Sequence, residues 1–448
     1  MKTEEITIES LVYGGDGVAH LQDGRAAFIA GALPGDTVLA RISEDKERFV
    51  KGEIDHLVEA SPDRVTPPCA LAAAGRCGGC PWANLSYEKQ LFWKRQAVVD
   101  AFSRIAKYGD EAAEALVGTC VASPKQWNYR NKVEFEVGQD VAGRFTLGMH
   151  AHGGSFIPLA ECKLCAKKLE KAPRVLTGSL RYAAGTLDLG IERVGIRMSE
   201  RTKDVEVALW TSPGRFPRAN VARVVSDGLP VKRPGVTRVL IKGDAKRRKV
   251  VGVESLAGHG CWSERIGDYK MLLSAPSFFQ VNTPNAEKLV ELTLEGLAVD
   301  GLDSVLDLYS GAGTFTLPLA ERAQSVAAVE MEGSSVRDLR RNLEKNSLWA
   351  EVVGGDVARE LAGLGTVDKV VVDPPRSGLG PKAVEGLINT HAWRIAYVSC
   401  NPTTLARDIV QFKDAGYEVR SVTPVDLFPQ TYHVETVTIL EKQRQERQ

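Results

Sequence analysis

Cys400 stands alone in the segment Ala396-Tyr397-Val398-Ser399-Cys400-Asn401-Pro402, where an apolar, β-branched run meets an Asn-Pro turn. Ligands of open α/β sheets collect at the carboxyl ends of strands, so a thiol there is placed for covalent chemistry, although free cysteine is often a small buried hydrophobe. Upstream, Ser304–Phe315 (SVLDLYSGAGTF) reads as a buried strand, a glycine turn and the start of a helix. Glycines at such a turn let the backbone approach a ligand without a Cβ clash. The following strand, Ser325–Val329, ends in Glu330, and an acid there can accept both hydroxyls of a ribose. A third strand, Lys369–Val372, delivers Asp373-Pro374-Pro375-Arg376, whose rigid prolines can hold an acid and a carbonyl facing a planar base.

The glycine turn lacks the third glycine of the dinucleotide fingerprint and is followed by Phe315-Thr316. A neutral or cationic nucleoside cofactor therefore fits better than a pyrophosphate, and S-adenosylmethionine meets that description. The ordered set points to a methyltransferase-like domain. A second cluster, Cys69-x7-Cys77-x2-Cys80 with the distant Cys162, offers four thiolates, with Gly78-Gly79 free to curl around one metal centre. Zinc and iron–sulfur clusters both accept four thiolates, and spacing does not choose between them. Cys165 is a fifth thiol able to compete with Cys162.

The elements that must position these groups fall into a multidomain chain. At 448 residues, with 44% hydrophobic and 25% charged residues, the composition is globular. No apolar run reaches the roughly 20 residues needed to span a membrane. The acidic start Met1-Lys2-Thr3-Glu4-Glu5 does not resemble a secretory signal, and eight cysteines without one suggest reduced thiols, so a cytoplasmic protein is expected. Residues 1–58 alternate short apolar stretches with glycine turns and read as a small OB-like β barrel, carrying six Lys/Arg against eleven Asp/Glu. Residues 59–285 hold the proline-marked linker, the cysteine segment, a helix over about 87–107 and an α+β central domain. Residues 286–448 alternate strand and helix as a Rossmann-like α/β domain, and the tail from Glu441 reads as disordered. Zero formal net charge argues against gripping nucleic acid by bulk charge. Locally, Val231–Val250 carries Lys232, Arg233, Arg238, Lys242, Lys246, Arg247, Arg248 and Lys249 against Asp244, which suits either phosphate binding or a solvated hairpin.

The ordered segments FFQVN (Phe278–Asn282), DLYSGAGTF, VVVDPPR, YVSCNP and HVET (His433–Thr436) resemble those of the RNA uracil-5 methyltransferases along essentially the whole chain. The resemblance implies a TRAM-like barrel, a C-terminal S-adenosylmethionine-dependent domain, Cys400 as nucleophile and Glu435 as base. It further implies Gln280, Tyr309, Glu330 and Asp373 around the cofactor, and a 4Fe–4S cluster on Cys69, Cys77, Cys80 and Cys162. Thr314 stands where some members carry asparagine, which weakens a cofactor contact from that position. Barrel and cysteine segment together resemble the 23S ribosomal RNA enzymes more than the transfer-RNA ones, with a monomer expected.

Such chemistry needs covalent help, because C5 of uracil has no free electron pair for a methyl group. A thiolate adding to C6 supplies it, and a carboxylate can then remove the C5 proton. The target base must lie in a loop or be flipped out, with Phe278, Phe279 and Tyr432 as stacking candidates and Trp127–Lys132 as a phosphate-contacting segment. Rival readings are an exocyclic-amine methyltransferase, which would need no thiolate, and a noncatalytic RNA chaperone, which would tolerate loss of Cys400.

Overall fold

Small apolar residues alternating with polar ones set the first sheet. The computed structural model describes residues 3–151, 153–243 and 248–442, so Asp244, Lys246 and Arg247 of the basic stripe and residues 443–448 of the tail lie outside the described residues. Chain contacts divide the protein into two units, the first comprising residues 1–126, 150–155 and 423–435, the second the remainder.

In the first unit, strands run in the spatial order Thr3–Thr7, Thr37–Asp45, Phe49–Glu59, Ala26–Ala30, Gly17–His20 and Ser10–Leu11. Ile6, Ile8, Ala19, Ala27, Ile29, Val38, Ala40 and Val50 fill the interior. The alanines let the sheet curl tightly, and a Cβ on Gly17 or Gly52 would lie 2.7 Å from the carbonyl oxygen of Ala32 or Arg41. Fully buried Asp36 closes the barrel onto the linker by accepting from Leu33 N (2.6 Å), Ser61 N (2.9 Å) and both forks of Arg64. Beyond the cysteine segment, the helix Tyr87–Arg104 buries Gln90, Lys94, Val98 and Phe102 on one side.

The second unit begins with a seven-stranded mixed sheet in the order Lys249–Ala257, Gly235–Lys242, Val205–Thr211, Ile191–Met198, Lys132–Gln139, Phe145–His150 and Phe156–Pro158. The parallel pair Val205–Thr211 with Gly235–Lys242 is joined by the crossover helix Arg218–Gly228, as a parallel connection requires. Its charges are largely internal. Arg238 is buried, donates to Thr211 Oγ1 (2.8 Å) and lies over the Phe216 ring, so this member of the basic stripe is a core residue. Arg248 pairs with Glu192 at 2.8 Å, whereas Lys232, Arg233, Lys242 and Lys249 are exposed.

The C-terminal sheet comprises β1 (Ser304–Leu308), β2 (Ser325–Glu330), β3 (Glu351–Gly354), β4 (Lys369–Val372), β5 (Arg394–Ser399), β6 (Glu418–Val425) and β7 (Glu435–Glu441). Their spatial order is β3-β2-β1-β4-β5-β7-β6. Strands β1 to β5 are mutually parallel and β7 runs antiparallel to β5. Continuous apolar runs such as Val370-Val371-Val372, fully buried, are what a parallel sheet covered on both faces demands. Order reverses between β1 and β4, and the carboxyl ends on either side of that switch carry the sequence motifs.

Candidate active site

After β1 the backbone turns sharply: Tyr309 has φ 61°, Gly311 56° and Gly313 101°. A Cβ on Gly313 would stand 2.7 Å from Leu339, so glycine is needed there for packing as well as for conformation. Glu330, ending β2, accepts N–H bonds from Gly311 (2.9 Å) and Glu332 (2.6 Å), one on each oxygen. This ties the glycine turn to the acid and leaves each carboxylate oxygen further lone-pair capacity for hydroxyls.

Two acids in this edge are shifted by burial. Asp307 in β1 is fully buried and is pushed up to about 7 chiefly by burial, reinforced by Asp373 and Glu330 and opposed by the Thr316 hydroxyl bonded to Oδ2. Its Oδ1 is buried and has no hydrogen-bond partner among the described residues. Asp373 follows β4, with its N–H on Leu308 O (3.2 Å), and burial of its carboxyl likewise pushes it up to about 7 although the residue keeps a solvent-facing part. An edge with an orphaned carboxylate oxygen, two unneutralised acids and a glycine turn suits a polar, positively charged nucleoside ligand. The residues present therefore fit S-adenosylmethionine.

Cys400 is partly exposed at the end of β5. The turn around it is rigid. Ser399 Oγ donates to Asn401 O (3.1 Å), and the Asn401 side chain accepts from Thr403 N (3.0 Å), capping the helix Pro402–Asp414. That helix also grips the loop after Asp373: Asn401 Nδ2 and Thr404 Oγ1 both donate to Arg376 O at 3.2 Å, and Arg407 donates to Ser377 O at 2.9 Å. Buried Asp408 accepts from Leu379 N (2.8 Å) and the Tyr397 hydroxyl (2.9 Å). The SCNP turn and the DPPR loop are thus one hydrogen-bonded body. Ser399 pairs with Thr436, the residue after Glu435; Glu435 is buried and belongs to the first unit.

Gln280 is buried, with its carbonyl accepting from Asn131 Nδ2 at 2.8 Å. Asn131 also donates to Val281 O and Thr283 Oγ1, so it fixes the FFQVN segment from within. Within the segment Trp127–Lys132, Asn128 likewise donates to Lys163 O, Cys165 O and Glu170, and Lys132 pairs with Glu134. Of the aromatic candidates, Phe279 is buried edge-on to Trp262, Tyr432 packs edge-on to Tyr13 and Trp82, and Phe278 is 63% exposed. Only Phe278 of the three is presented openly for stacking.

Among the described residues no group of three or more His, Cys, Asp or Glu side chains is arranged to hold a metal. Cys69, Cys77 and Cys80 belong to the first unit and Cys162 to the second. Cys162 shares a thiol–thiol hydrogen bond with Cys165, because the turn closed by Cys165 N on Cys162 O (3.2 Å) brings residues three apart together.

Asp307, Asp338 and Asp408 do not stand out as single residues in the sequence. Their common signal is an acid at an otherwise apolar strand or helix position; Asp338, in the helix Gly333–Lys345, accepts from Ser274 N (2.6 Å), Ser274 Oγ (2.7 Å) and Ser277 Oγ (2.6 Å), just ahead of FFQVN.

Comparison with known proteins agrees with this geometry. Residues 240–353 and 364–443 match the tRNA (uracil-5-)-methyltransferase family, and residues 1–54 match the TRAM domain. An uncharacterised RNA methyltransferase of Gloeobacter violaceus is 32% identical over 452 residues, covering 98% of this chain and 97% of that protein. Another, of Chlorobaculum tepidum, is 34% identical over 454 residues, covering 94% and 92%. The crystal structure of the Pyrococcus abyssi tRNA (uracil-54, C5)-methyltransferase with S-adenosyl-L-homocysteine superposes with TM-score 0.76 at 27% identity, covering 97% of this chain and 99% of that one. The chain belongs to the RNA uracil-5 methyltransferase family, as an S-adenosylmethionine-dependent enzyme with an N-terminal TRAM domain.

Proposed function

We propose that the protein methylates C5 of a specific uridine in 23S ribosomal RNA through a covalent adduct of Cys400, with Glu435 as the base. The single observation that supports the mechanism is the register of β5 and β7: Ser399, which Cys400 follows in the chain, pairs with Thr436, which Glu435 precedes. Sγ of Cys400 bonds to C6, and the C5–C6 π electrons move onto C4–O4 as an enolate. S-adenosylmethionine, when bound, supplies a sulfonium methyl group that C5 attacks, releasing a neutral thioether. The Glu435 carboxylate then takes the C5 proton, the C–H electrons restore the C5–C6 double bond, and the C6–S bond breaks to regenerate the thiolate. Gln280, Tyr309, Glu330 and Asp373 hold the cofactor and the edge of the base.

Cys400→Ala should abolish methylation while leaving cofactor binding within about threefold, since no cofactor contact is assigned to the thiol. Retained turnover would remove the covalent step. In Glu435→Gln a protein–RNA adduct resistant to denaturing gels should accumulate; free RNA there would argue for another base. Methylation of transfer RNA in place of ribosomal RNA transcripts would shift the substrate to the alternative reading, which the P. abyssi relative's own substrate favours. The same reading has the enzyme acting as a cytoplasmic monomer.

The 4Fe–4S cluster rests on the chemistry of the donor set, four soft thiolates at Cys69, Cys77, Cys80 and Cys162, and on the resemblance, not on assembled geometry. Protein purified without oxygen should then be brown, with broad absorbance near ~400 nm. Colourless protein with stoichiometric zinc would refute iron.

A further inference from the structure

Between β6 and β7 the chain crosses the first unit as an irregular segment, yet Asp426, Leu427, Gln430, Thr431, Val434 and Glu435 are all buried there. A buried loop has no ladder to satisfy its backbone, so something else must. The helix Tyr87–Arg104 does so, from more than 330 residues away in sequence. Fully buried Lys94 pairs with fully buried Asp426 and donates to Phe428 O at 3.0 Å. Gln90 and Gln430 exchange two bonds, Gln90 Nε2 to Gln430 Oε1 (3.0 Å) and Gln430 N to Gln90 Oε1 (2.8 Å). The Tyr87 hydroxyl donates to Asp426 Oδ2 (2.8 Å) and Trp82 N to Gln430 O (3.0 Å). Glu435 is the last residue of this segment, five positions after Gln430.

We propose that Lys94 is a positioning residue for Glu435: the Lys94–Asp426 pair, with the Gln90–Gln430 exchange, fixes the path of the segment that delivers the base. A buried ammonium needs a buried carboxylate to be tolerated at all, and such a pair specifies one conformation even where its net stabilisation is small. The helix ahead of the central domain is thereby part of the machinery for proton removal and not only a spacer behind the cysteine segment. This inference rests on the assignment of Glu435 as base.

The test separates the step at Cys400 from the step at Glu435, using full-length protein, labelled S-adenosylmethionine and whichever of transcribed 23S ribosomal or transfer RNA the wild type methylates. Lys94→Met should lower kcat about 100-fold, the range of a displaced general base, while KM for RNA and the rate of adduct formation stay within about threefold. The adduct should accumulate on denaturing gels, as in Glu435→Gln. Because Lys94→Met strands a buried carboxylate, two companions carry the same readout: Lys94→Met/Asp426→Asn, which removes both charges, and Gln90→Met, which removes the amide bonds to Gln430 without stranding a charge. Adduct formation and turnover falling in parallel, or unaltered turnover in a folded variant, overturns the proposal. An adduct in Glu435→Gln but in none of the three sinks this inference alone; no adduct in Glu435→Gln sinks the assigned base and this inference with it.

Discussion

Glu134 in the mixed sheet and Asp307 in the parallel sheet are both acids drawn away from water, and they end in opposite states. Burial pushes Glu134 up, but Lys132 at 2.9 Å and Arg193 at 3.1 Å outweigh it, and the carboxyl lies below its ordinary value. Burial pushes Asp307 up to about 7, and its charged neighbours Asp373 and Glu330 add to the shift. Central cations of the mixed sheet are consumed by structure, whereas at the carboxyl edge of the parallel sheet burial raises Asp307 and Asp373 with no cation to oppose it. Charge paired inside the fold is tied to structure; a buried carboxyl that holds its proton more tightly, with no cation beside it, is a candidate for function.

Arg197 offers the hardest blow to this contrast. Its guanidinium lies 3.8 Å from Glu206 and donates to Ser274 O, Ala275 O and Ser277 O, so Arg197→Ala should cost about 3–5 kcal/mol in the urea midpoint, as loss of one partner of a buried pair does. A loss below about 1 kcal/mol, the surface-pair range, would show that the mixed sheet does not depend on its internal charges.

A pH series sharpens the comparison at smaller scale. The Asp307 carboxyl, with an ordinary value of 3.8 and about 7 in the fold, holds a proton in the native state that the unfolded chain has released. Stability from this group is full below the unfolded value and falls as pH rises toward 7, by about 1.4 kcal/mol per unit. Thermal melts of Asp307→Asn between pH 5 and 7 should therefore lose that slope. Glu134 works in the opposite sense: its lowered value contributes stability above 4.5 that is lost as pH falls through the folded value. Glu134→Gln should cost more at pH 7 than at pH 3, and equal slopes in the two variants would erase the distinction.

The smallest effect concerns the cations left outside. Replacing exposed Lys232, Arg233, Lys242 and Lys249 by alanine should change stability by less than about 0.5 kcal/mol per site. If they meet phosphates, the slope of log affinity for RNA against log salt should flatten by about 0.7 for each phosphate no longer neutralised. An unchanged slope would remove this strip from the RNA face.

Much of the parallel sheet was legible because its signals are local: Ser304–Leu308, the glycine turn, Glu330 and the DPPR and SCNP turns each sit within a few residues of a strand end. The barrel was legible for the same reason, through alternation and turns. Phe278 and Phe279 show the limit of local reading, since adjacent aromatics of one motif divide between solvent and core. Asn131 and Arg238 show it for polar groups: the first bonds the FFQVN backbone and the second a neighbouring strand, partners that no local pattern announces. Cys162 and Cys165 meet on one turn, as their three-residue spacing allows.

From its residues alone this chain determined a cofactor-binding parallel sheet with a thiol at one strand end, because strand period, glycine conformation and proline rigidity are properties of short segments. Which charges would be neutralised was decided only by the tertiary structure. Lys94 meets Asp426, and Arg197 meets both Glu206 and the Ser274–Ser277 carbonyls, across separations that no periodicity encodes. Burial raises the energy of a charge and a partner offsets that cost, so identical side chains become structural or reactive according to neighbours that folding alone supplies.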